Sequence, residues 1–405
     1  MPQPTSYFTR ANLTWFTCAI LIVALLTSKF MLTVGMAALV ALGLIRKDLK
    51  TVWQNFISDK TLIALTAIFF IVLMSGLYSE NVAYLLERLR IKLPFLLLPL
   101  ALAGLPKFTD RQYFSLFYLL IILMVISCVG VGVNYAMNFA EINYSIGRSG
   151  SIPTPINHIR FSLLVALSFF ASVYLYQKDF YLKFPWEKYL LLGCALFLLV
   201  FIHILSVRSG ILALYLAGFV LTVRYIFLTK RYLIGILMAL AIIALPILAF
   251  QFSPGFRAQA YLMRHNYIEF FIKKNVGEYS DTQRLASYQI ALEAAKSSPI
   301  IGVGAGDVKD ATEAEYAKYY PASDPKLPHN QFLFFYTATG LVGVLLFAIA
   351  FFIPLFHKKR YLDVLFLAFY AIVFTSFMVE NTLETAIGTA FSMVFLLIML
   401  NRKIP

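Results

Sequence analysis

Charge is what this sequence has least of: Asp, Glu, Lys and Arg make up 13% of the 405 residues, about half their share in an ordinary soluble domain. With 60% of the residues hydrophobic, water cannot solvate the surface that would result, and a soluble globular protein is excluded. Cysteine is nearly missing. Cys18, Cys128 and Cys194 sit inside apolar runs without metal-ligand spacing, which argues against a disulfide framework and against zinc. There are five histidines, and no HExxH helix, no Ser-His-Asp order and no Asp-x-Asp pair. The sequence therefore predicts no bound metal and no cofactor, and it offers few candidates for a catalytic base.

Long apolar runs are abundant. A hydrocarbon core about 30 Å thick takes roughly 20 mostly apolar residues per helix. About twelve such runs occur, at 13–29, 30–45, 61–78, 93–105, 113–134, 158–176, 189–207, 209–228, 232–251, 331–354, 360–379 and 383–400. A spanning barrel would alternate apolar and polar residues over about ten positions; these runs are continuous, so helices are expected. The first run lacks a small-residue cleavage site and leads straight into the second, so it reads as a retained span. The expected fold is an all-α integral membrane protein. Residues 1–251 hold nine transmembrane helices, 252–328 a large extracytoplasmic loop subdomain and 329–405 the last three helices.

The net charge of +14 is scattered in short clusters between spans, which points to membrane topology and not to nucleic acid. With the N-terminus inside, the inward segments hold Arg10; Arg46, Lys47, Lys50 and Lys60; Lys107 and Arg111; Lys178, Lys183 and Lys188; Arg224, Lys230 and Arg231; Lys358, Lys359 and Arg360; and Arg402 and Lys403. That asymmetry is the positive-inside pattern. Against it stand Arg88, Arg90, Lys92, Arg148, Arg160 and Arg208 on the outer side, with Lys29 apart from them. One such cation is explained by snorkelling to lipid headgroups. A concentration of them on the disfavoured side is explained economically by an anionic substrate held at the outer face.

In the loop, nine Lys or Arg balance nine Asp or Glu. A helix is expected from Arg284 to Lys296: Asp281 or Thr282 offers an N-cap, Leu285, Tyr288, Leu292 and Ala295 recur at helical spacing, and Pro299 follows. The segment Gly302-Val303-Gly304-Ala305-Gly306-Asp307 lacks the strand, helix and lysine of a phosphate loop and reads as a flexible turn. Asp307, Asp310, Glu313 and Glu315 read as a solvated acidic face.

After the loop comes His329-Asn330, nine further residues, and Gly340-Leu341-Val342-Gly343. His357 falls on the inner side and His203 inside an apolar span, leaving His158, His265 and His329 as outer histidines. Here the chain resembles the O-antigen ligase and polymerase superfamily of bacterial envelope glycosyltransferases. The ligase pattern of His, then Asn, Ser or Gln, nine residues and G-x-x-G is met by His329, Asn330, Gly340 and Gly343. The family's Arg-Ser-Gly at an outer helix start is met by Arg208-Ser209-Gly210. Its loop pattern is met by Arg284, Tyr288, Ser298-Pro299 and Gly302 to Gly306, with Tyr288 where many members have Trp.

The resemblance implies a GT-C-like glycosyltransferase in the bacterial inner membrane with its active site facing the periplasm. It would move a glycan from undecaprenyl diphosphate to lipid A-core, without metal and with inversion. A diphosphate leaving group needs cations aimed at its developing charge, and guanidinium offers a bidentate fork. Arg208 and Arg284 are the leading candidates. Arg88 and Lys92, four apart on one helical face, and Arg160 beside His158 are further ones, and Arg90 points elsewhere. His329 suits a general base toward the acceptor hydroxyl. Asn330 and Tyr288 join the substrate-binding set by their place in the motifs. Glu380 and Glu384 share a helix face and are expected to fix an arginine or the imidazole, or to form a plain salt bridge. Three alternatives stay open: an O-antigen polymerase or protein O-oligosaccharyltransferase, a transporter or flippase, and a scaffold.

Overall fold

The computed structural model describes residues 9–46, 48–148, 150–272, 276–277 and 279–403. Lys47, counted above among the inward cations, lies outside the described residues. The helices are, in chain order, α1 (Arg10–Thr27), α2 (Lys29–Leu44), α3 (Leu49–Ser58), α4 (Lys60–Ser75), α5 (Val82–Gly104), α6 (Asp110–Met137), α7 (Phe139–Ile146), α8 (His158–Gln177), α9 (Glu187–Leu205), α10 (Arg208–Thr229), α11 (Tyr232–Phe252), α12 (Pro254–Phe271), α13 (Ser280–Ala295), α14 (Val308–Tyr319), α15 (Gln331–Phe356), α16 (Val364–Val379) and α17 (Ala386–Leu400). Two 3-10 turns, His357–Leu362 and Thr382–Glu384, follow α15 and α16. No strand occurs among the described residues, apart from one isolated bridge between Phe108 and Arg402.

Each of the twelve apolar runs lies on a helix. Among the described residues, seven helices are long and apolar enough to cross a membrane: α1, α6, α8, α9, α10, α11 and α15 with the 3-10 turn after it. The others fall short for physical reasons. Helices α2, α4 and α16 have 16 residues and α17 has 15, which at 1.5 Å per residue reach only about 24 Å. Helix α5 starts at Val82, not at 93, because the charged stretch Glu87 to Lys92 is helical and buries Arg88 and Lys92 against Glu384 instead of forming a polar loop.

Among the spans, α8 is the most enclosed and α11 the least. Helix α8 packs against α6, α9, α10 and α16. Two of its buried serines return their hydroxyls to the helix itself, Ser162 to Ile159 O (2.8 Å) and Ser172 to Ser168 O (2.8 Å), the economical way to keep a hydroxyl in an apolar interior. An aromatic layer joins α15 to α16, with Phe335 and Phe347 stacked at 4.0 Å and Phe351 against Tyr370 and Phe377.

The segment before α15 differs from expectation in three ways. Helix α12 continues beyond Pro254, where the sequence pattern had shown no element. Helix α13 starts at Ser280, so Asp281 lies in its first turn and does not cap it; its carboxylate is taken by arginines, described below. The glycine turn is docked, not flexible. Val303 N donates to Thr337 O (2.9 Å) and Gly304 N to Ala338 O (2.9 Å), while Leu341 N and Val342 N donate to Pro299 O (2.9 Å) and Ile300 O (3.2 Å). In a regular helix Leu341 and Val342 would have bonded to Thr337 and Ala338. Residues 299–304 are therefore inserted into the hydrogen-bond ladder of α15, supplying both halves of two opened bonds.

That insertion explains the glycines. Gly340 sits at φ +62, where a Cβ would lie 2.2 Å from the carbonyl carbon of Ile300, and Gly302 at φ +76, where a Cβ would meet Thr339 N at 2.3 Å. Only glycine combines this backbone region with such an approach. The far side of the turn rests on the α4–α5 connection: Ala305 N and Gly306 N donate to the hydroxyls of Ser75 and Ser79 (3.1 Å each), and the Asp307 carboxylate accepts from Glu80 N (2.8 Å) and Asn81 N (2.7 Å). Asp310 accepts from Asn81 Nδ2 (2.9 Å). Asp307 and Asp310 are thus clasps between elements and not a solvated face; Glu313 and Glu315 keep only local lysine partners on α14.

Candidate active site

His329 stands one residue before the cap of α15. Asn330 is that cap: its Oδ1 accepts from Phe332 N (2.9 Å) and Leu333 N (3.0 Å), and its Nδ2 donates to Met378 O (3.0 Å) at the end of α16. Both ends of the Asn330 amide are spent on fixing two helix ends, as an N-cap requires. The backbone N–H of His329 donates to Ser287 Oγ (3.1 Å), which ties the residue to α13. The imidazole Nδ1 faces Glu380 Oε2 at 3.3 Å. The carboxylate at Nδ1 holds the ring in the orientation that a base working through Nε2 needs.

Glu380 terminates α16 and is buried. Its other oxygen accepts from Arg284 Nη2 at 2.7 Å. Burial alone would raise the carboxyl pKa, but the hydrogen bond from His329 and the charge of Arg284 outweigh it and hold the group down at about 2. Arg284 in turn faces Asp281 Oδ1 at 3.7 Å, one helical turn before it on α13. Asp281 Oδ2 accepts from Arg208 Nη1 and, at 3.0 Å, from Asn266 Nδ2. Arg208 Nη2 donates to Gln259 Oε1 on α12 (2.7 Å). A chain of alternating sign therefore runs Glu380, Arg284, Asp281, Arg208, with His329 hydrogen-bonded to its first member, and it joins the ends of α10, α13 and α16 to the residues just before α15. The Nε of Arg284 and of Arg208 is buried without a hydrogen-bond partner.

Arg208 occupies the first turn of α10. Gly210, two residues on, allows α10 to press onto α8, since a Cβ there would stand 2.4 Å from Ser162 Cβ. Arg208, Asp281, Arg284 and Tyr288 line one end of a cleft of about 570 Å³, whose remaining wall includes the apolar Ile211, Leu212, Phe256 and Met263. Tyr288 donates its hydroxyl to Met378 O (3.2 Å), and burial raises its phenol pKa. A charged end and an apolar body suit an amphiphile.

The remaining cations predicted for the site are placed behind it. Lys92, wholly buried, holds both oxygens of Glu384 at 2.7 and 2.8 Å. Arg88 reaches the same carboxylate at 3.7 Å, donates to Glu384 O (3.2 Å) and pairs with Glu87. Arg160 is buried and, among the described residues, hydrogen-bonds to the hydroxyls of Ser376 (3.4 Å) and Thr382 (3.5 Å). Sequence reasoning missed Gln331, which bridges this group to the site: its Nε2 donates to Glu384 Oε1 (2.9 Å) and its Oε1 accepts from Leu383 N (2.7 Å). It also missed Asp281 as the carboxylate shared by two arginines, although its spacing of three before Arg284 was a readable signal. Nothing in the sequence pointed to Gln259.

His203 is buried with Nδ1 at 2.7 Å from Leu199 O, in the packed role expected of it. Among the described residues no group of three or more His, Cys, Asp or Glu is placed to hold a metal ion. No curated protein matches the chain. Residues 193–348 match the family model described as O-antigen ligase. That interval contains Arg208, Arg284, the inserted turn, His329 and both glycines of α15, and it leaves out Glu380 and the α5 cations. Over that interval the chain is similar to the O-antigen ligase superfamily, which supports the resemblance read from the sequence.

Proposed function

We propose that the chain is a membrane glycosyltransferase of ligase type, moving a glycan from undecaprenyl diphosphate to a hydroxyl of lipid A-core. The observation that carries this reading is the imidazole of His329 held through Nδ1 by Glu380, with Arg284 on the same carboxylate. The acceptor hydroxyl gives its proton to His329 Nε2 as its oxygen attacks the anomeric carbon. The bond from that carbon to the diphosphate oxygen breaks with its electron pair, and undecaprenyl diphosphate leaves. Displacement in one step inverts the anomeric centre. Arg284 and Arg208 present guanidinium donors, including the two unpartnered Nε groups, toward the leaving charge. The apolar wall of the cleft accepts the start of the polyprenyl chain. Side-chain cations take the role that a metal has in other transferases.

In this reading the bundle crosses the bacterial inner membrane about twelve times, in a GT-C-like arrangement. Residues 252–328 and the His329 site face the periplasm, and the shorter apolar helices cross by virtue of their polar extensions and of local thinning. Arg160, buried without a carboxylate, is a reserve cation for the donor, while Lys92 and Arg88 support the turn that carries Glu380.

Deletion of the gene and electrophoresis of the cell's lipopolysaccharide test the proposal, with plasmid-borne wild type, His329→Ala and His329→Gln as complements. The expected result is loss of long-chain glycan with accumulation of undecaprenyl-linked glycan, restored by wild type and by neither variant. A single repeat unit left on the core would indicate a polymerase instead. Restoration by His329→Gln, which hydrogen-bonds but has no basic nitrogen, would remove His329 from the role of base.

A further inference from the structure

At the ends of α4, α5, α15 and α17 opposite to the His329 site lies a second cavity, of about 480 Å³. Its wall carries Lys107, Lys358, Arg360, Arg402 and Lys403 against a single carboxylate, Asp59. The carboxylates nearby are already committed. Asp59 holds Lys358 (2.9 Å) and faces His357 Nδ1 (3.3 Å). Arg402 draws its partners from outside the cavity, Asp110 (2.8 Å) and Asp363 (3.5 Å). Lys107 donates to Leu400 O (3.1 Å) and Arg360 to Thr61 Oγ1 (2.6 Å), neither of them anionic. Among the described residues, Lys107, Arg360 and Lys403 have no carboxylate within ion-pair distance, so three cations converge on one hollow whose single carboxylate, Asp59, is already held by Lys358.

Topogenic charge explains basic residues in inward segments, but it does not require them to converge on a cavity. The neighbouring helix shows what lies outside. Helix α3 buries Val52 and Phe56 and packs against α5 and α4, while Leu49, Trp53 and Ile57, spaced four apart on its other face, are 55, 56 and 49% exposed. A short amphipathic helix with an exposed Leu, Trp and Ile ridge lies in the plane of a bilayer interface with that ridge among the acyl chains. Its polar residues Asn55 and Ser58 belong to the cavity wall, beside the apolar Leu62 and Leu102. The hollow is thus at headgroup depth, and its wall combines cations with aliphatic carbon.

We infer that this cavity is a seat for the phosphate of an anionic phospholipid of the surrounding membrane, held by Lys107, Arg360 and Lys403 beneath the interfacial helix α3. Clustered cations of this kind, placed between helix ends at the membrane surface, are the chemistry that recognises anionic headgroups. The inference rests on the membrane-spanning reading of the chain and is independent of glycosyl transfer, so its test needs no activity.

The purified full chain is placed in nanodiscs of phosphatidylcholine with and without phosphatidylglycerol. Lipid retained after detergent exchange is measured by mass spectrometry, together with the unfolding temperature. The wild type should retain phosphatidylglycerol and gain thermal stability from it. The variant Lys107→Gln/Lys403→Gln, which spares the Arg360 contacts to the fold, should lose about tenfold or more of that retention. A charge-matched control, Lys178→Gln/Lys183→Gln, removes exposed inward cations away from the cavity and should behave as wild type. Equal loss in the control would reduce the effect to general surface charge and overturn the inference. So would unchanged retention in the cavity variant, or protection of the wild type in phosphatidylcholine by millimolar inorganic phosphate equal to that by the lipid.

Discussion

The side chain of Glu380 decides how the site responds to substitution and to pH. It joins a proposed base to a proposed leaving-group cation through its two oxygens, so His329 and Glu380 should act as a unit. His329→Ala should cost about 10² to 10⁴-fold in turnover, and Glu380→Gln in the His329→Ala background should cost much less than in the wild type. Strictly multiplicative losses in such a double-mutant cycle would show that the carboxylate serves Arg284 alone. The sign of the pH effect follows from the direction of the shift. A carboxyl held at about 2 makes its full stabilising contribution above the ordinary carboxylate range and loses it only as pH falls through that low value. Loss of the Glu380 charge therefore does not produce an acid limb of activity at mildly acidic pH, and Glu380→Gln should not abolish such a limb. Lysine at Arg284 or Arg208 keeps the charge and loses the fork. Transfer should fall in the order Arg, Lys, Ala at both positions, with protein levels matched; Ala at full rate in both would place the diphosphate elsewhere.

Among the helices, α15 is where sequence and structure are best compared. The spacing from His329 to Gly340 and Gly343 was readable, and so was the run of apolar residues, because both repeat along the chain. That the glycines admit residues 299–304 into the helix was not readable, since the partner is distant in sequence and carries no pattern beyond its own glycines. The same holds for the acidic residues of that segment: Asp307 and Asp310 look solvated until the α4–α5 connection is laid against them. Gln331 stayed hidden for a third reason, being a neutral side chain whose function is to satisfy a buried carboxylate and a backbone N–H. Gly340→Ala forces a Cβ into the Ile300 carbonyl at a positive φ and should cost on the order of 1 to 3 kcal/mol. A scan of unfolding temperature should show that loss, while Gly193→Ala, where a Cβ meets nothing within 4 Å, leaves the midpoint unchanged or slightly raised. Equal midpoints for the two variants would mean that the inserted turn gives way easily.

For the whole molecule, orientation is the central expectation. The described cysteines are all free and buried, so single added cysteines can be probed against a quiet background with an impermeant thiol reagent. In intact spheroplasts Lys318→Cys on α14 should label and Lys178→Cys should be protected; the reverse pattern would invert the topology and, with it, the side on which His329 works. Metal independence is tested on purified protein in excess chelator. Transfer should continue at its usual rate, and a loss reversed by magnesium or manganese would show that side-chain cations alone do not stabilise the leaving group. The outer cations that first suggested an anionic substrate separate in the structure: Arg208 lines the cleft, Arg88, Lys92 and Arg160 are buried behind it, and Arg90 and Arg148 are exposed. Charge counting along the sequence could not separate them, because Lys92 and Arg208 differ only in which carboxylate the fold brings to each.

The turn threaded into α15 also bears on how the chain is made. Thr337 O, Ala338 O, Leu341 N and Val342 N have no partner within their own helix, and in lipid each bare peptide group costs several kcal/mol. Alone in the insertion machinery, α15 is an incomplete span. What completes it, residues 299–304, is translated earlier and, in the proposed orientation, must already be waiting on the far side of the bilayer when α15 arrives. Export of the preceding segment is then a condition for the helix to settle in the membrane, so a ribosome-bound intermediate whose segment has not crossed should fail to integrate α15 and be left to quality control.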